Sequence, residues 1–266
     1  MGNIRALCLC LSGILNAVVR PRRIQVRLEG VYPGINDFYL EQLTDLALLH
    51  GVEILLEIHR STGVRDSRDW HLNNCRTDFL WMMDDDVVPD YRCLAAYNNY
   101  YLKLRDENLW TKDVAFLAGS KCDVNNRRKY PVFNMTVQGA AAVTPEANHS
   151  LIYHVGECWE TCAKTKALDT GNALLYLPLL KEKACSFRQF ADHGNSSGDA
   201  TAFWLQLDKK GLYGFFAPSA VAYHLEKQGG GFNEFEARRE MLLRLCDLQK
   251  FDKETLKQFW MPGTWT

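Results

Sequence analysis

Apolar positions along the first half of the chain switch repeatedly between two periods. Leu7, Leu11, Leu15 and Val18, with Ile14 beside them, recur at helical spacing, so residues 3–18 are expected to form a buried amphipathic helix that Pro21 stops. Ile24-Gln25-Val26-Arg27-Leu28 alternates with period two, the mark of a strand with one buried face. Helical periodicity returns over residues 37–50, with Gly51 placed as the C-cap. A strand over 52–58, a short helix over 67–74 and an apolar strand over 78–83 follow, then a helix around 91–106 and a strand-like run over 115–119. Residues 120–168 are polar and turn-rich, the composition of a binding loop or lid. Beyond them the pattern predicts a strand over 171–178, leaving a glycine turn. A helix over 199–210, ended by Gly211, comes next. Residues 215–218 and 220–224 form a strand pair or one bent strand. Gly229-Gly230-Gly231 reads as a hinge before a charged helix at 233–248. There is no internal repeat and no low-complexity tract.

Alternating helices and strands of this kind predict an α/β fold, with a mostly parallel central sheet flanked by helices. Such sheets bind ligands at the carboxyl ends of their strands. At one of these ends the apolar run Phe79-Leu80-Trp81-Met82-Met83 meets Asp84-Asp85-Asp86. Three like charges against an apolar element are costly unless something compensates them. A divalent cation is the simplest compensation, and an all-oxygen donor set points to Mg2+ or Mn2+.

Composition narrows the rest. A chain of 266 residues can bury a large core, and no linker divides it, so one domain over 1–266 is expected. A net charge of −1 gives no nucleic-acid footprint, and Arg20-Pro21-Arg22-Arg23 is too short to supply one. The nine cysteines are odd in number, scattered and without a C-x-x-C pair, which argues against structural zinc and for reduced thiols in a cytoplasmic protein. Cys158 and Cys162, four apart, read as a disulfide or as two helix neighbours. The sequons at Asn134, Asn148 and Asn195 matter only in a secreted chain. The uncharged stretch 6–19 is too short for a bilayer, which needs about 20 residues, so no transmembrane segment is expected.

Three pieces combine: the acidic triplet, Gly198-Asp199 opening a helix, and His224 ending an apolar run. Over roughly 3–90 and 168–226 the chain resembles the family-two glycosyltransferases, which have the GT-A fold. Arg68-Asp69 occupies the place of that family's arginine–asparagine pair ahead of the aspartates, and Arg76-Thr77-Asp78-Phe79-Leu80 looks like the approach to its D-x-D motif. Asp84 and Asp86 match that motif, with Asp85 between them. The family's acidic pair falls at Asp199-Ala200, the segment from Phe203 through Gly211 to Tyr213 looks like its helix and turn, and the run from Ala217-Pro218 to His224 looks like its terminal strand.

The resemblance implies an inverting, metal-dependent transfer of a hexosyl group from a UDP- or GDP-class nucleotide sugar to an acceptor hydroxyl. It assigns the metal, Mn2+ or Mg2+, to Asp84, Asp86 and His224. Donor contacts fall to Arg68, Asp84 and Asp85, the base to Asp199, and the acceptor side to Gly171, Asn172 and Trp204. It divides the chain into a nucleotide-sugar and metal half (1–110), an acceptor half (111–228) and a helical tail (229–266).

Two features depart from the family's pattern. Its usual base is the second residue of the acidic pair, here Ala200. Its first central strand is expected to be missing from this sequence, since Met1-Gly2-Asn3-Ile4-Arg5 looks like the loop that follows that strand; either the true start lies upstream or the nucleotide site is built differently. A sheet without a central strand leaves backbone edges unpaired. The alternatives are a haloacid-dehalogenase-like phosphohydrolase, whose D-x-D-x-V signature Asp84-x-Asp86-x-Val88 also fits, and a non-catalytic sugar-nucleotide binding protein.

Overall fold

The computed structural model describes residues 4–29, 35–59, 63–123, 129–130, 163–165, 170–188 and 199–225. The Cys158–Cys162 pair, the three sequons, the glycine hinge and the C-terminal helix lie outside the described residues, as does most of the 120–168 segment.

The first unit is α1 (Ile4–Leu15), β1 (Arg23–Glu29), α2 (Ile35–Leu49) and β2 (Glu53–His59). Its period-two face is real. Ile24, Val26 and Leu28 are buried in a core with Leu11, Ile14 and Leu15 of α1 and Leu43 and Ala47 of α2. Gly51 ends α2 at φ +68°, a left-handed value that glycine adopts without strain. β1 and β2 pair in parallel, from Arg23 opposite Glu53 to Glu29 opposite His59.

Next come α3 (Val64–Asn74), β3 (Phe79–Met83), β4 (Val87–Pro89), α4 (Cys93–Asp106), β5 (Val114–Asp123) and the two-residue β6 (Lys129–Tyr130). The last elements are β7 (Ala163–Thr165), β8 (Asn172–Tyr176), α5 (Leu177–Glu182), α6 (Asp199–Lys209) and β9 (Tyr213–His224). The strands form a seven-stranded sheet in the order β3-β8-β5-β9-β4, with β6 on β5 and β7 on β9. The two longest ladders, β1–β2 and β5–β9, are parallel, and the shorter ones are antiparallel. The two apolar runs at 215–224 form one strand, with a register shift against β5 at Gly119/Ser120. The run expected as strand over 171–178 turns into α5 after Tyr176. Pro178 sits in the first turn of that helix, where its missing N–H costs nothing.

No ladder joins β1–β2 to the larger sheet among the described residues. β1 and β3 instead line a cavity of about 1070 Å3, walled by Cys10 and Ile14 of α1 and by Ser67 and His71 of α3. Inside this region the amide N and O of Gln25 are both buried without a hydrogen-bond partner. Side-chain packing bridges the gap. α1 lies on β4 at Gly13, where a Cβ would come within 2.9 Å of Val88. Among the described residues, no helix is long and apolar enough to cross a membrane.

Candidate functional site

β3 carries the chain to Asp84, which lines the cavity. Arg68, one turn into α3, donates from Nη2 to Asp84 Oδ1 at 2.9 Å. Lys121 of β5 stands with Nζ 3.6 Å from Asp84 Oδ2. Burial alone would raise the Asp84 pKa, but Lys121 and then Arg68 outweigh it and hold the carboxyl below its ordinary value. The same carboxylates act on Cys10, whose Sγ lies 3.8 Å from the Asp84 carbonyl oxygen. Burial first, and then Asp85, Asp84 and Asp86, push that thiol up to about 12.

The short β4–β9 ladder brings the other end of the constellation into place. Val87 pairs with His224, and the Leu225 N–H donates to the Asp86 carbonyl at 2.7 Å. His224 Nε2 then lies 3.7 Å from Asp86 Oδ2, on a carboxylate only 13% exposed. Asp85 between them is exposed.

Two protein cations, Arg68 and Lys121, face Asp84. Among the described residues no group of three or more His, Cys, Asp or Glu side chains is arranged to hold a metal. The expected set Asp84, Asp86 and His224 is not assembled as one cluster, because Asp84 is turned to Arg68 and Lys121. Asp86 and His224 remain adjacent. Lys121 was not foreseen. It lies beyond the strand expected over 115–119, and nothing local marks it out.

The acceptor-side expectations fare differently. Asn172 is wholly buried. Its Nδ2 donates to the Ser120 and Ala220 carbonyls at 3.0 and 2.9 Å, and its Oδ1 accepts from Trp81 Nε1 at 3.1 Å and from the Tyr97 hydroxyl at 3.0 Å. Every amide atom is engaged inside the protein, so Asn172 joins strands and cannot meet an acceptor. Trp204 is only 2% exposed and packs in the core beneath β5 and β8. Gly171 is buried in the turn before β8.

Asp199 opens α6. That helix is gripped by the turn 185–188. The Ser186 N–H donates to Gln206 Oε1, and Gln206 Nε2 donates to the Ser186 carbonyl, both at 2.9 Å. Phe203 stacks on Phe187 with centroids 4.0 Å apart. Arg68 lies 5.8 Å from the same Phe187 ring. Asp69, beside Arg68, receives the turn's donors. The Asp84 end and the α6 end of the site thus meet through α3.

No family model matches the chain, and no curated protein matches it in sequence. Solved structures do match in fold. S. aureus TarS 1-349 in complex with UDP-GlcNAc superposes with a TM-score of 0.52 at 10% identity, over 91% of this chain and 63% of that one. S. aureus TarS in a second structure gives 0.53 at 12% identity, over 91% of this chain and 38% of that one. GalNAc-T7 with UDP, GalNAc and Mn2+ gives 0.49 at 9% identity, over 84% and 41%. This chain spans less than two thirds of the length of each of these three.

Proposed function

On a chain with the GT-A glycosyltransferase fold, we propose the transfer of a sugar from a nucleoside-diphosphate donor to an acceptor hydroxyl. The observation that carries this reading is the convergence of Arg68 and Lys121 on Asp84, which lines the cavity beside Asp86 and His224. A departing nucleoside diphosphate gains negative charge, and fixed cations at that point offset it without reorganising. Arg68 presents a planar fork suited to phosphate oxygens, and Lys121 a point charge. Asp84 holds both cations in place before the donor arrives.

Asp86 and His224 are the pair fitted to hold a divalent ion. Mg2+ and Mn2+ commonly take only one or two protein ligands and complete their shell with substrate phosphates and water. Bound there, the ion would supply Lewis-acid stabilisation of the leaving diphosphate. Asp199 at the start of α6 is assigned the base that accepts the acceptor's proton in an inverting transfer, in place of the residue now Ala200. The 1–110 half then supplies most of the donor site, Lys121 and His224 reach it from 111–228, and the rest of 111–228 faces the acceptor. TarS, with UDP-GlcNAc bound, makes uridine donors the first to test. A cytoplasmic setting accords with the free thiols of Cys8, Cys10, Cys75, Cys93 and Cys185.

The experiment is a thermal-shift and hydrolysis panel of UDP- and GDP-sugars, with and without Mn2+, alongside an aryl-phosphate control. At least one nucleotide sugar is expected to raise the melting temperature and to be turned over. Binding of none, or turnover of the aryl phosphate alone, would remove the proposal.

A further inference from the structure

We infer that Asp69 is a positioning residue that fixes the helix carrying Asp199 relative to the donor-binding cations; this rests on the assignment of Asp199 above. Positions 68 and 69 are consecutive on α3, so their side chains leave the helix about 100° apart. Arg68 takes the direction of Asp84, and Asp69 takes that of the turn before α6.

The Asp69 carboxylate is nearly inaccessible, with the residue 4% exposed. A charge so placed is tolerated only when donors surround it. Three do. The Phe187 N–H lies 2.6 Å from Oδ1, the Ser186 hydroxyl 2.7 Å from Oδ2, and the Arg188 N–H 3.3 Å from Oδ2. Charge-assisted bonds of this kind are short and directional, so the turn is held in one geometry. Arg188 Nε adds a contact 3.7 Å from Asp69 Oδ2 while it bonds Asp66 Oδ1 at 2.6 Å.

The turn passes that geometry on. Its Ser186 makes the two-way amide pair with Gln206, and its Phe187 lies flat on Phe203 at an interplanar angle of 12°. Phe203 is four residues, one helical turn, after Asp199. Asp69 therefore acts on α6 through this turn, whose Phe187 ring also lies 5.8 Å from Arg68. Its loss should misplace the base first, because Arg68 keeps its own bond to Asp84 at 2.9 Å. Errors of about 1 Å in such alignment cost roughly a hundredfold in rate.

Asp69→Asn keeps the shape but sets an amide N–H₂ against one of the turn's donors, and Ser186→Ala removes the hydroxyl's bond to Asp69 and its acceptance of the Arg188 N–H at 3.0 Å while sparing the carboxylate. In the full chain, assayed well below the melting temperature of each variant, Asp69→Asn should lower kcat at least tenfold with the donor KM within twofold of the parent. Ser186→Ala should fall between the two. Hydrogen exchange should quicken in residues 186–188 and 203–208 and stay unchanged in β5 and β9. The inference is overturned if exchange in 203–208 is unaltered, or if kcat survives in Asp69→Asn while Asp199→Asn is inactive. If the parent chain binds no donor, the transferase reading fails on its own, and the exchange measurement still decides whether Asp69 fixes α6. Should Asp69→Asn fail to fold, Ser186→Ala carries the same two readouts.

Discussion

Lys121 reaches Asp84 across an intervening strand. The two residues lie on β5 and just beyond β3, with β8 between those strands, and their charges stand 3.6 Å apart. Lys121→Met removes one of the two cations on a largely shielded carboxylate and leaves Arg68 in place. We expect a stability loss of about 1–2 kcal/mol at neutral pH, below the cost of breaking an isolated buried pair because the second cation remains. Donor affinity should fall at least tenfold. Urea unfolding and a binding titration check the two effects separately.

The same pairing sets an acid limb. The Asp84 pKa is lower folded than unfolded, so the unfolded chain takes up this proton first as pH falls. The stabilisation is complete above the ordinary carboxylate value of 3.8 and is lost as pH drops through the folded pKa. Asp84→Asn should flatten the stability profile below about pH 4 and leave its slope above pH 5 unchanged, as read by denaturant midpoints across the acid range.

His71 acts in a different window. Burial first, with Arg27 and then Arg68 adding to it, lowers its pKa from 6.5 to about 4. The folded protein keeps this imidazole neutral, whereas the unfolded chain protonates it near 6.5. Stability contributed here is therefore full above pH 6.5 and declines as pH falls toward 4, with a slope of up to about 1.4 kcal/mol per pH unit. His71→Gln should remove that slope; an NMR titration placing the folded pKa near 6.5 would contradict it.

Asn172 offers a test of structure against recognition. Asn172→Leu leaves the Ser120 and Ala220 carbonyls and the Trp81 indole N–H without this partner. The four hydrogen bonds lost, at about 0.5–1.5 kcal/mol each, give an expected total of about 2–6 kcal/mol. Gly119→Ala should destabilise as well, because a Cβ there would collide with the Asn172 amide and the Tyr97 hydroxyl. In both variants the folded fraction should bind donor as the parent does. A selective rise in acceptor KM with unchanged stability would restore Asn172 to the acceptor side.

Much of the fold was legible because its signals are local. The alternation in 24–28, the helical spacing of Leu7, Leu11, Leu15, and the glycines at 51 and 211 each act within a few residues, and each element formed close to its expected bounds. The candidate site was legible only in part, since side-chain partners are chosen by strand order. Nothing near Lys121 says that β5 lies two strands from β3. Asn172 follows a glycine after a long irregular stretch, as a ligand-binding asparagine would, but the β5–β8–β9 arrangement turns it inward. β4, at three residues, is too short to show a period, though it is what sets His224 beside Asp86.

The gap between β1 and β3 has a thermodynamic meaning. Among the described residues, parting two strands elsewhere breaks a row of backbone hydrogen bonds, but here it breaks only side-chain packing. The first two strands can therefore open at a lower free energy than β5 and β9, and their amides should exchange first. The candidate donor site lies on this boundary. A ligand reaching from β1 to Asp84 would touch both sheets and serve as a stitch where the backbone supplies none, so the donor-bound protein should unfold as one unit where the free protein opens in two steps.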